Sequence, residues 1–165
     1  MTKKPKIPAR YFYALMIFLI LASSARAQSK GKGKYVKNSV FFEISNLKYI
    51  GTASLNLEHI LFYSKPFSLM ASTGFGGFYT TTISQWYYGF TTPLCLNCII
   101  GEKKNHFEFD LGARYNFGPH IEKDISPFYP VINVGYRYQV PRKKGPTYRV
   151  FIGSNGIGFS LGKTL

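Results

Sequence analysis

The stretch His106-Phe107-Glu108-Phe109-Asp110-Leu111-Gly112-Ala113-Arg114-Tyr115-Asn116-Phe117 decides the fold. Phe107, Phe109, Leu111, Ala113, Tyr115 and Phe117 share one phase; Glu108, Asp110, Gly112, Arg114 and Asn116 share the other. Successive side chains of an extended chain leave opposite faces, so this segment is a strand with one apolar and one polar face. The same reading recurs on both sides of it. Ile132, Val134, Tyr136, Tyr138 and Val140 stand against Asn133, Gly135, Arg137 and Gln139. Leu55, Leu57 and Leu61 stand against Ser54, Asn56 and Glu58, and Ile157, Phe159 and Leu161 against Gly158, Ser160, Gly162 and Thr164. Weaker versions run through Val40–Leu47, Phe67–Phe75, Leu94–Ile100 and Tyr148–Gly153, giving about eight strands.

Composition agrees. Of 165 residues, 18% are aromatic, 16 are Gly, and 45% are hydrophobic. Aromatic side chains suit a pleated surface, which excludes a helical bundle, and the apolar content excludes a disordered chain. The length is that of one domain. Two cysteines are too few for a disulfide scaffold.

The opening residues belong to export and not to the fold. Lys3, Lys4, Lys6 and Arg10 precede the apolar run Tyr11–Ala22, and Ala25-Arg26-Ala27 comes after it. This layout predicts a cleavable secretory signal over residues 1–27, cut before Gln28. The apolar run is shorter than the roughly 20 residues of a helical membrane anchor. The signal holds five bases and no acid, so removing it lowers the formal net charge from +14 to +9. Part of the basicity is therefore export chemistry, and no nucleic-acid partner is implied. Residues 28–38 read as a flexible basic tail, and 39–165 as the barrel domain.

Two architectures fit the alternation. A soluble barrel or sandwich keeps its apolar face inside, whereas a transmembrane barrel turns it toward lipid and fills its interior with polar side chains. The polar phases here are rich in Gly, Ser and Asn and carry charges of both signs: Glu43, Glu58, Glu108, Asp110, Arg114, Arg137 and Arg149. That mixture suits a narrow interior filled by paired charges, while the large aromatic phases suit lipid. The expected fold is an all-β, eight-stranded antiparallel up-and-down transmembrane β-barrel. An interior of that size is just wide enough for side chains to fill it.

The connections suggest an orientation. Tyr63–Pro66, Gly101–Asn105 and Pro141–Pro146 read as short basic turns; Gly76–Pro93 and Gly118–Pro130 read as long loops at the opposite rim. Aromatic residues gather near strand ends (Phe62, Tyr63, Tyr79, Trp86, Tyr87, Tyr88, Phe90, Phe128, Tyr129), as interfacial girdles do.

Four blocks carry a family resemblance: Ser54-Leu55-Asn56-Leu57-Glu58, Phe107–Gly112, Gly135-Tyr136-Arg137-Tyr138-Gln139 and Gly158-Phe159-Ser160-Leu161-Gly162. Over residues 40–165 the chain resembles the small outer-membrane β-barrel proteins of Gram-negative bacteria, in particular a group of short ones without a defined activity. The resemblance implies location in the outer membrane, contact with its lipid, and insertion by the barrel-assembly machinery. Such barrels usually end on an aromatic residue; this chain ends Lys163-Thr164-Leu165. A monomer is expected.

Little points to chemistry. Cys95 and Cys98 form a Cys-x-x-Cys, but no further zinc ligands lie nearby, and positions i and i+3 of a strand face opposite ways. Structural thiols are the expected reading, with a disulfide or a functional pair as alternatives. His59, His106 and His120 accompany no Gly-x-Ser-x-Gly nucleophile elbow. The glycine groups at Gly74–Gly77 and Gly153–Gly156 lack the Lys-Ser/Thr pair or the helix that completes a phosphate loop. No catalytic residue, metal or cofactor is expected. Arg137 is expected inside, paired with Glu108 and Asp110 of the neighbouring strand.

Three roles are consistent with these features: a non-enzymatic structural or surface-interaction barrel, a small pore or transporter, and a secreted lipocalin-like barrel for an apolar ligand. The first is favoured because no wide lumen is implied.

Overall fold

A computed structural model describes residues 38–81, 86–118, 126–140 and 144–165. The expected signal and residues 28–37 of the tail lie outside the described residues, as do His120, Arg142 and Lys143. The described residues form eight strands and no helix. These are β1 (Asn38–Leu47), β2 (Ile50–Ser64), β3 (Phe67–Thr81), β4 (Trp86–Ile100), β5 (Asn105–Phe117), β6 (Phe128–Gln139), β7 (Pro146–Gly153) and β8 (Gly156–Thr164). Each pairs antiparallel with its sequence neighbour, and β8 pairs with β1, so the sheet closes into a barrel without a free edge.

The registers fix the stagger. Arg137 opposes Arg149, which opposes Ser160, then Glu43, Ser54, Gly76, Thr91 and Asn116 in turn. The Asn116 amide donates to the Pro127 carbonyl, so one circuit returns to the β6 segment ten residues from Arg137. A closed sheet needs such a stagger, with strands tilted by roughly 35–45°.

Strand alternation sorts the side chains cleanly. Exposed on the outer face are Phe42, Leu55, Leu57, Phe75, Phe90, Leu111, Ile132, Val134, Val150 and Ile157, among others. Buried on the inner face are Ser54, Asn56, Glu58, Asn97, Glu108, Asp110, Arg114, Asn133, Arg137, Arg149 and Ser160. Phe41, Met70, Phe78 and Phe151 also point in, and inward glycines make room for them. A methyl on Gly158 would meet the Phe151 ring. The phase slips once: between Ile60 and Phe62 a bulge inserts Leu61, and both Leu61 and Phe62 lie outside.

Two bands of outer aromatics mark the ends of the barrel. Toward the rim opposite the termini, Phe75, Phe90, Phe117, Tyr115 and Phe128 form a chain of ring contacts with centroids 5.0–6.3 Å apart. Toward the terminal rim, Phe62 meets Phe67 at 6.4 Å and Tyr138 meets Tyr148 at 6.0 Å.

Two expectations need correction. The stretch Gly76–Pro93 is not a long loop: β3 runs to Thr81 and β4 starts at Trp86. Gly76 and Gly77 suggest a turn, but Gly76 opposes Ser54 and Thr91 inside the sheet. A side chain there would strike the Ala53 carbonyl and Ser54, so the glycine serves close backbone approach. The rim opposite the termini therefore has short connections at Lys48-Tyr49, 82–85 and Ser154-Asn155; only Gly118–Pro127 is long. Asn38, read as tail, is the first residue of β1. Its side-chain oxygen lies 2.7 Å from His59 Nδ1, and its carbonyl accepts from the Leu165 amide.

Candidate functional site

The interior charges form the site. Glu43 lies on β1, Glu58 on β2, Glu108, Asp110 and Arg114 on β5, Arg137 on β6 and Arg149 on β7. Each occupies the inward phase of its strand. Six of the seven are brought together, and Arg114 stands apart.

Arg137 is fully buried and sits between two carboxylates. Its Nη1 and Nη2 donate to Glu58 Oε2 and Oε1, both at 2.7 Å. Its Nε and Nη2 donate to Glu108 Oε2 and Oε1 at 2.9 and 2.6 Å. The planar guanidinium thus presents two edges to two carboxylates, which a Lys could not do. Nη1 also donates to Gln139 Oε1 at 3.1 Å.

Arg149 directly opposes Arg137 across the β6–β7 ladder. Two like charges in that position repel unless a counter-charge intervenes. Glu108 supplies it, accepting from Arg149 Nε at 3.0 Å as well as from Arg137. Arg149 Nη2 donates to Asp110 Oδ2 at 2.8 Å, and Nη1 reaches Glu43 Oε2 at 3.4 Å. The Arg149 guanidinium also lies over the Phe41 ring at 4.7 Å and the Phe151 ring at 5.6 Å.

Amides complete the layer, and the sequence reading missed them. Asn97 Nδ2 donates to Asp110 Oδ1 at 2.7 Å and its Oδ1 accepts from Ser72 at 2.8 Å. Asn133 Nδ2 donates to Asp110 Oδ2 at 3.3 Å. The signal was available: Asn97 interrupts Leu96 and Cys98 in the inward phase of β4. Glu58, Glu108, Asp110, Arg137 and Arg149 are each at most 3% exposed, so the cross-section at their level is closed to water.

Arg114 lies farther toward the rim opposite the termini. It makes no ion pair among the described residues. The Asn155 side-chain oxygen, in the orientation that satisfies both groups, accepts from Nη1 at 3.1 Å and Nη2 at 3.2 Å. Asn155 gets there from the Ser154-Asn155 turn, which Gly156 closes with a φ of 93°. The expected pairing of Arg137 with Asp110 is replaced by pairing with Glu58, and Asp110 goes to Arg149.

The cysteines do not meet. Cys95 points in and is buried, Cys98 points out, and both are free thiols. His59 holds Asn38 at the terminal rim, and His106 Nε2 lies 3.2 Å from the Gln139 carbonyl.

Comparison with family models, curated proteins and solved structures gives no match to this chain.

Proposed function

We propose that the chain is an exported transmembrane β-barrel of the Gram-negative outer membrane, with a structural or surface-interaction role and no enzymatic activity. One observation carries the reading. Among the described strand residues, the outer face holds no Asp, Glu or Arg and a single Lys, Lys163 at the terminal rim, while all seven charges named above point inward. Burying charge and exposing Leu, Ile and Phe is unfavourable in water, where contiguous apolar patches beyond a few hundred Å² are rare. In a bilayer the same arrangement is favourable.

The dimensions support it. Phe107 to Phe117 on β5 spans the region between the aromatic bands in ten residue steps. At roughly 3.3 Å per residue and a tilt of roughly 40°, that is about 25 Å of height, matching the apolar band of outer-membrane barrels. Basic residues gather at the terminal rim: Lys65, Lys103, Lys104 and Lys144 lie in its connections.

The closed cross-section at the ion-paired layer, among the described residues, favours the structural role over a pore. The oxygens of Glu58, Glu108 and Asp110 accept from buried donors, which leaves these carboxyls no contact with a solute. Fractionation tests the reading. The protein should appear in the outer-membrane fraction, need detergent for extraction, and migrate differently on a gel before and after heating. Recovery in the soluble fraction would overturn it. Planar-bilayer recordings should show no conductance above baseline.

A further inference from the structure

Arg114 is 4% exposed and lies on the inner face, yet the five ion pairs of the interior all belong to Arg137 and Arg149. A guanidinium carries five N–H donors and cannot shed its proton. Among the described residues its only acceptor is the Asn155 amide oxygen, and Nε has no partner at all. A buried cation with unmet donors is costly unless something else supplies the acceptors.

The space beside it is of the right kind. A cavity of about 40 Å³ opens there, lined by Arg114, Thr52, Thr80, Asn116, Tyr129 and Asn155. The lining thus carries hydroxyls and amides, together with Phe78 and Ile50. The volume is well below the roughly 300–1,000 Å³ of a drug-sized pocket, yet more than one water needs. It lies beyond the ion-paired layer, at the end of the barrel opposite Asn38 and Leu165.

We propose that this cavity binds a small oxyanion, a carboxylate or phosphate group, with Arg114 as its charged ligand. Paired N–H donors of a guanidinium engage a carboxylate or phosphate; here the Nη groups would do so, because Nε is shut off from anything the size of a water molecule. The neutral side chains around it donate or accept without adding charge. The site goes beyond the structural role proposed above, because a barrel that only holds itself together has no need of it.

The rival account is that Arg114 only balances the interior, where four carboxylates face Arg137 and Arg149. Nitrogen-15 labelling of arginine side chains in micelles separates the two. The Arg114 Nε–H resonance, assigned by its loss in Arg114→Lys, should shift saturably with inorganic phosphate and with acetate at constant ionic strength. The Arg137 and Arg149 resonances should stay in place, as internal controls within the same folded barrel. Tyr129→Phe, which removes one lining hydroxyl and keeps the ring, should weaken the apparent affinity by about five-fold, the worth of one hydrogen bond. An Arg114 resonance unmoved by either oxyanion would overturn the proposal, as would an equal response to chloride or a common drift of all three arginines.

Discussion

Arg137 and Arg114 are the same residue on the same kind of strand, both under 5% exposed, and their surroundings differ completely. Around Arg137, Glu58 and Glu108 fill both edges of the fork and Gln139 takes what remains. Around Arg114 there is one amide oxygen and a small cavity. The barrel is thus sealed in its middle and left incompletely satisfied near one mouth. Burial alone does not make a charge structural; the completeness of its acceptor set does.

The contrast can be broken most forcefully at its closed end. Arg137→Ala should destabilise the barrel by roughly 3–5 kcal/mol, because two buried carboxylates lose their main counter-charge. Adding Glu108→Gln should recover part of the loss, since coupled residues are not additive. Urea unfolding in micelles measures both, and strict additivity would show that the pair does not interact.

A second test works at the same height on the outside. Leu111 succeeds Asp110 in the chain and faces the other way, 53% exposed. Leu111→Arg should cost roughly 2–4 kcal/mol if the residue sits at the bilayer midplane. A polar replacement at inward Ser160 should be milder. Equal tolerance of the two, measured by unfolding in lipid vesicles, would contradict the assignment of faces.

Packing in the sealed layer gives a smaller effect. Gly158→Ala places a methyl against the Phe151 ring, one of the two rings beside Arg149. Overpacking of this kind should cost about 1–3 kcal/mol, read from the urea midpoint. The smallest effect belongs to the open end. Arg114→Met leaves no carboxylate stranded within ion-pair distance, so its cost should stay near 1 kcal/mol, the order of one lost hydrogen bond. A loss as large as that of Arg137→Ala would erase the contrast between the two sites.

Much of this was legible from alternation. In β5, β6 and β8 the phase is unbroken, so the inward direction of Glu108, Asp110, Arg114, Arg137 and Ser160 can be read directly. The contact of Arg137 with Glu108 is expected from adjacent strands. Its contact with Glu58 is not: the two are 79 residues apart and meet across the lumen, where tilt and stagger decide which heights coincide. The outer halves of β3 and β4 were hidden by Gly74, Gly76 and Gly77, which serve strand crowding as readily as turns. The Leu61 bulge was hidden because Leu61 and Phe62 are both apolar. The separation of Arg114 depends on Asn155, a turn residue with no periodic signal of its own.

The seam between β1 and β8 has a consequence for how the chain reaches this state. Glu43 on the first strand meets Arg149 on the seventh, 106 residues away, and β1 is held on its second side only by β8. Contacts so distant in sequence form late and slowly, after the entropy of a long loop has been lost. Until the first and last strands join, Arg149 lacks one counter-ion and the sheet keeps two unpaired edges. Ring closure therefore also brings Glu43 and Glu58 to their arginines, and an incompletely zipped intermediate lacks both the seam and these two counter-charges.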